Sequence, residues 1–267
     1  MGANQPAPPI RPRVLASTTS HKREPLLLTL EVFARLGLSD LDLNLHHLLE
    51  GGVPVGSVAE AVSRHNLRIW VLSGGWCDFF ETGPAIDRTF DSVARQLDIG
   101  RTLGVSQLRL FFGRLDYARY SPAALKTICD HLRRLSDRHP DVRLVFENHD
   151  GASLHPDVCR EVFDAVGRPN IRMNFDPINF AKAGADPLAA LETLRPFVEH
   201  VHLKGLVQGE YCEYGEGDVN LGPFLTSLAS HGYQGGFTVE YEGHSDGTLR
   251  LYRSVERARN DISARFP

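Results

Sequence analysis

Four short apolar runs in the second half of the chain each end on a residue that can bind a metal. Residues 142–147 (VRLVFE) end in Glu147, residues 171–176 (IRMNFD) in Asp176, residues 198–202 (VEHVH) in His202 and residues 236–240 (GFTVE) in Glu240. Runs of this length, rich in β-branched and aromatic residues and bounded by loop residues, read as buried strands. A carboxylate or imidazole at a buried strand end costs free energy unless something pairs with it. One divalent cation can neutralise several carboxylates and take a lone pair from a neutral imidazole. Each residue alone is an ordinary polar group at a loop boundary. As a set, three carboxylates and one imidazole predict a site for a single Mn²⁺, Mg²⁺, Co²⁺ or Zn²⁺ ion with Glu147, Asp176, His202 and Glu240 as ligands, leaving positions open for a substrate carrying adjacent oxygens.

The elements that must place these groups alternate along the whole chain. Strands are predicted over 13–18, 40–45, 67–72, 106–112, 142–147, 171–176, 198–203 and 236–240. Helices are predicted over 24–36, 57–66, 87–103, 121–138, 155–166, 186–197, 221–231 and 246–265. Ser57 and Ser121 are expected N-caps, with Pro122 at the first helical position. Gly37, Gly104, Gly167 and Gly232 stand where helix C-caps belong. Eight βα units predict an α/β fold, a single (β/α)8 TIM barrel over residues 13–267 behind a disordered Pro-rich lead-in, residues 1–12. A doubly wound open sheet is the competing architecture. It calls for a Gly-rich turn after the first strand, where STTSHKRE has no glycine. All four candidate ligands fall at C-terminal strand ends, the face on which barrel active sites are built.

The 267 residues are 42% hydrophobic and 23% charged, with a net charge of −4. That balance argues against nucleic-acid or anionic-membrane partners. No secretory h-region and no apolar run of transmembrane length is present, so a cytoplasmic protein is expected. Cys77, Cys129, Cys159 and Cys212 form no CxxC pair, and reduced thiols are expected.

The segments LVFENHDG, MNFDPINFAKAGADPLAAL, HVHLKG, YGEGDVNLGPFL and FTVEYEG, in this order, resemble the xylose-isomerase-like sugar phosphate isomerase/epimerase family. The similarity is close in the second half; in the first half only the βα rhythm carries it. It implies the same barrel, the same four metal ligands and, for Glu147 and Glu240, a second role as acid and base. A metal chelating a carbonyl and its neighbouring hydroxyl acidifies the C–H between them, one carboxylate removes the proton, and the metal-bound enediolate is reprotonated from the other face. The expected function is therefore a divalent-metal-dependent isomerase or epimerase acting on a small carbohydrate or related polyhydroxy carbonyl compound. The resemblance also raises a homo-oligomer.

Three positions depart from the sugar epimerases of the family. Asn179 stands for a histidine three residues after Asp176, Gln208 for an arginine six residues after His202, and Gly205 for the aspartate of HLKD. These departures keep a metal-dependent lyase or dehydratase, of the inosose dehydratase kind, as the alternative. A phosphodiesterase resembling endonuclease IV would need several more histidines. A non-catalytic sugar-binding barrel would have no use for both glutamates. His149, Asn179 and Lys204 are candidate substrate contacts, with a loop role for His149 and an ion pair for Lys204 as equally good accounts. His46 and His47 are expected to end strand two, where they would line the barrel mouth. Trp76, Phe79 and Phe80 form either an apolar wall or loop packing.

Overall fold

The computed structural model describes residues 12–243 and 246–266. The expected lead-in lies outside the described residues except for Pro12. Eight parallel strands close a barrel: β1 (Val14–Ser17), β2 (Asp40–Asn44), β3 (Arg68–Ser73), β4 (Gln107–Phe111), β5 (Arg143–Glu147), β6 (Ile171–Phe175), β7 (Val198–Leu203) and β10 (Gly236–Val239), with β10 pairing back onto β1. A two-stranded antiparallel hairpin, β8 (Gly205–Val207) and β9 (Glu210–Cys212), interrupts the last βα units. The helices are α1 (Leu26–Arg35), α2 (Leu45–Glu50), α3 (Val55–Arg64), α4 (Pro84–Leu103), α5 (Pro122–Arg138), α6 (Pro156–Val166), α7 (Pro177–Lys182), α8 (Pro187–Leu194), α9 (Gly222–Ser230) and α10 (Gly247–Ser263).

The (β/α)8 reading holds, and several of its signals act as expected. Parallel strands buried on both faces read as near-continuous apolar runs; Leu144, Val145 and Phe146 of β5 are all fully buried. The Ser121 side chain accepts from the Ala124 N–H, with Pro122 following. Gly104 and Gly167 close α4 and α6 in the left-handed conformation. Cys129 and Cys159 are buried free thiols on α5 and α6.

Several boundaries differ from the sequence expectation. Helix α3 starts at Val55, so Ser57 lies inside it and the N-cap position is Pro54. Helix α4 begins at Pro84, a residue pre-set for a first helical turn. His46 and His47 do not end strand two. They sit in α2, where Asn44 accepts from the His46 N–H; His47 is buried with its Nε2 on the Glu24 carbonyl, and His46 is exposed.

Candidate metal centre

Chain order around the barrel makes the four expected ligands neighbours. β5, β6, β7 and β10 are consecutive in the closed sheet, and each delivers one group at its C-terminal end. Asn148, just past β5, clamps the end of β6: its amide accepts from the Asp176 N–H and donates to the Asp176 carbonyl, both at 2.8 Å. Asp176 is also the N-cap of α7. Its Oδ1 accepts from the Ile178 and Asn179 N–H groups at 2.8 and 2.9 Å, which leaves Oδ2 toward the centre.

The imidazole of His202 is fully buried in the middle of the cluster. Its Nδ1 lies 3.5 Å from Glu147 Oε1 and 3.4 Å from Glu240 Oε2. Glu147, Asp176 and His202 offer ligand atoms all within 4.8 Å of one another. Neither His202 ring nitrogen has a hydrogen-bond partner of good geometry, and Asp176 Oδ2 faces the Lys204 ammonium at 2.9 Å. A buried ring nitrogen without a partner, with the Glu147, Asp176 and Glu240 carboxylates around it, fits a divalent ion.

Two cations lie against the carboxylates. Arg109 Nε lies 3.2 Å from Glu147 Oε2, and Lys204 Nζ lies 2.9 Å from Asp176 Oδ2, 3.8 Å from Glu240 Oε2 and 2.7 Å from Glu242 Oε1. Burial alone would raise the Glu147 pKa, but His202 and Arg109 outweigh it and bring the group down to about 2. Glu240 follows the same logic: His202 and Lys204 overcome burial and hold it well below the usual range. For Lys204, burial is outweighed by Asp176, Glu242 and Glu240, so its pKa rises well above normal. Burial and Glu147 push Asp176 up against the pull of Lys204. Both glutamates are thus carboxylates, able to bind a cation or accept a proton, while Lys204 is a fixed ammonium.

The expected substrate contacts fall in three situations. Lys204 is buried among carboxylates, over the Tyr211 ring at 4.4 Å. Asn179 is buried with both ends of its amide engaged: Nδ2 donates to Glu147 Oε1 (3.2 Å) and the Asn148 carbonyl (3.0 Å), and Oδ1 accepts from the Tyr211 hydroxyl (3.0 Å). His149 is half-buried at the rim, edge-on to Phe111 and Trp76 and 3.3 Å from Asp150. Trp76 stacks on Phe111 at 4.5 Å, whereas Phe79 belongs to the core against Phe146.

The hairpin explains two of the family departures. Gly205 opens β8 where a Cβ would come within 2.2 Å of the Glu213 carbonyl oxygen, so the backbone leaves no room for the aspartate of HLKD. Gln208 and Gly209, both at positive φ, are the exposed tip of the hairpin, away from the barrel centre.

Sequence reasoning missed Arg109, Asp42, Tyr211 and Glu242. The signal for Arg109 was a lone arginine inside the apolar run SQLRLFF. For Asp42 it was the alternation DLDLNL in a strand that a barrel buries on both faces.

A closed parallel barrel with a buried carboxylate–imidazole cluster at the C-terminal strand ends defines a class of barrel enzymes. Residues 39–263 match the xylose isomerase-like TIM barrel family, and the chain belongs to it. An inosose dehydratase of Bacillus thuringiensis (strain Al Hakam) is 25% identical over 211 residues, 66% of this chain and 70% of that protein. A 3-dehydroshikimate dehydratase of Bacillus anthracis is 22% identical over 140 residues, 49% of this chain and 48% of that protein, so the match spans about half of that relative's length. A crystal structure of a D-tagatose 3-epimerase-like protein superposes with a TM-score of 0.78 at 17% identity, covering 94% of this chain and 97% of the other; at that identity the likeness concerns the fold. Among the described residues, no helix is long and apolar enough to cross a membrane.

Proposed function

We propose that the chain is a divalent-metal-dependent enzyme that removes a proton from the carbon next to a carbonyl of a small polyhydroxy compound, as an isomerase or epimerase. The observation that carries this reading is the placement of two ionised carboxylates, Glu147 and Glu240, on the same nitrogen of His202 at 3.5 and 3.4 Å from two different strands. Glu147, Asp176, His202 and Glu240 would hold the ion. When bound, the ion would polarise the substrate carbonyl and acidify the adjacent C–H. Glu147 and Glu240 serve as the proton acceptor and the returning acid. Return of the proton to the same carbon with inversion is epimerisation, and return to the neighbouring carbon is aldose–ketose isomerisation. Lys204, a fixed ammonium, offers its charge to a substrate oxygen. His149 borders the substrate at the rim. Asn179 acts on substrate through the Glu147 carboxylate it holds. The substrate is a small carbohydrate, and the location is cytoplasmic.

Dehydration is the second reading. The departures at Asn179, Gly205 and Gln208 and the two dehydratase relatives favour it. Here a hydroxyl β to the abstracted proton leaves, takes that proton from the carboxyl group that received it, and departs as water. The carboxylate is thereby restored and a conjugated double bond is left in the product.

The deciding experiment incubates the metal-loaded protein with keto-polyols and free ketoses in D₂O, followed by NMR. Deuterium at the carbon next to the carbonyl supports isomerase or epimerase chemistry. A conjugated product absorbing in the ultraviolet supports dehydration. Neither outcome across the panel, with metal bound, overturns both.

A further inference from the structure

Beneath the four proposed ligands, a second polar chain runs across the barrel interior. His200 Nε2 lies 2.7 Å from Thr238 Oγ1, Thr238 Oγ1 donates to Asp42 Oδ2 at 3.1 Å, and Asp42 Oδ2 lies 3.5 Å from His202 Nε2. All four residues are buried to within 2% of full burial. Among the described residues, no lysine or arginine lies within ion-pairing distance of Asp42. A carboxylate fully removed from water needs proton donors to offset its desolvation.

Counting protons fixes the direction of the chain. The one hydroxyl proton of Thr238 goes to Asp42, so Thr238 Oγ1 can only accept from His200, whose Nε2 therefore carries a proton. Asp42 has acceptor capacity left over, since its Oδ1 has no partner. His202 Nε2, which has no other partner, lies 3.5 Å from the Asp42 carboxylate, so a proton carried there points at Asp42. Every proton in the chain points toward Asp42. The two edges of the His202 ring are thereby sorted: Nε2 faces one carboxylate below, and Nδ1 faces Glu147 and Glu240 above.

We propose that Asp42 is the positioning residue of the site. With the ion bound, it holds the one proton of the His202 ring on Nε2, so that the Nδ1 lone pair is presented to the divalent ion, with Thr238 and His200 keeping Asp42 in register. Carboxylates behind a ligating histidine typically contribute ten- to a hundred-fold in metal affinity. The inference rests on the metal-site reading above, and its test separates the two.

The test measures Zn²⁺ and Co²⁺ binding to the whole chain by competition with a chromogenic chelator, together with long-range ¹H–¹⁵N NMR of the histidine rings in the Zn²⁺-loaded wild type. The expected result is one ion per chain, with His202 protonated at Nε2 and metallated at Nδ1. Asp42→Asn should weaken binding about ten- to a hundred-fold. Thr238→Val, which leaves the carboxylate in place, should weaken it less. No binding to the wild type overturns the metal site itself. A wild type that binds through Nε2, or that takes a second ion at Asp42, overturns the positioning role and leaves the metal site standing. Asp42→Asn with unchanged affinity and unchanged ring protonation also overturns it. The wild-type spectrum decides even where Asp42→Asn fails to fold.

Discussion

Arg109 Nε lies 3.2 Å from Glu147 Oε2, an ion pair in which neither side chain is more than 5% exposed. The guanidinium also donates to Ser73 Oγ and the Gly74 carbonyl and lies over the Phe111 ring at 4.3 Å, so β3, β4 and β5 all hold it in place. Breaking a buried pair leaves a buried charge without compensation. Arg109→Met is therefore expected to cost about 3–5 kcal/mol of stability, read from urea unfolding of the metal-free protein. Arg109→Lys keeps the charge but loses the fork that reaches Ser73 and Gly74, and should fall between the two. Equal stability of all three proteins would remove Arg109 from the account of how Glu147 stays ionised.

Glu240 accepts from the Ser17 hydroxyl at 3.3 Å, and its other oxygen approaches His202 and Lys204. Glu240→Gln preserves the shape and the Ser17 contact but removes a base and a ligand charge together. Turnover should fall by about 10²–10⁴ with the circular dichroism spectrum unchanged. Wild-type rates in this variant would rule out the two-glutamate mechanism.

The barrel and the strand-end carboxylates were legible because parallel strands advertise themselves as apolar runs, and a polar residue at their C-terminal end stands out. The groups behind them were not. In DLDLNL the alternation suggests one wet face, yet Leu41, Asp42 and Leu43 are all fully buried, because a closed barrel has side chains inside and helices outside. Arg109 meets Glu147 only once β4 and β5 are in register, with Arg109 opposite Val145 and Phe111 opposite Glu147. The hairpin was missed because its strands, Gly205–Val207 and Glu210–Cys212, are only three residues long, too short for a period of two to show. Tyr211, which it carries to Asn179, was missed with it.

The metal should act as a stabilising ligand of the folded state. An ion that binds the native state alone adds about 2.7 kcal/mol when its free concentration is a hundred times its dissociation constant. Dialysis against EDTA should lower the melting temperature and abolish activity, and back-titration with Mn²⁺ or Co²⁺ should restore both. A melting temperature indifferent to chelation and reloading would contradict a metal held by Glu147, Asp176, His202 and Glu240.

His21 supplies a pH dependence independent of the site. It is buried with Nε2 on Thr248 Oγ1 at 2.7 Å and sits edge-on to Phe33, joining the first βα loop to α10. Burial, with a further contribution from nearby His47, lowers its pKa to about 4. The ring is neutral in the fold and titrates near 6.5 in the unfolded chain, so between these values the unfolded state binds the extra proton. Its contribution is fully present above pH 6.5 and is lost as the pH falls toward 4. The slope amounts to about 1–3 kcal/mol across that window. His21→Gln should flatten the urea-midpoint profile of the metal-free protein between pH 6.5 and 4, and an unchanged profile would show that other groups set it.

The Tyr211 hydroxyl donates to Asn179 Oδ1, and Asn179 Nδ2 donates to Glu147 Oε1, so β9 bears on a proposed catalytic carboxylate through one amide. Burial pushes the Tyr211 pKa up to about 12, so the phenol remains a donor throughout the working range. Tyr211→Phe deletes one hydrogen bond and nothing else of size, and should cost about 0.5–1.5 kcal/mol of stability. If that bond holds the amide the right way round, the loss should appear in kcat more than in KM, because Glu147 acts on the transition state. Asn179→Asp tests the same link from the other end. It replaces the donor facing Glu147 with a second negative charge, so it should depress kcat further while Tyr211 keeps its acceptor. A Tyr211→Phe enzyme with raised KM and unchanged kcat would instead make the hairpin a substrate-binding wall.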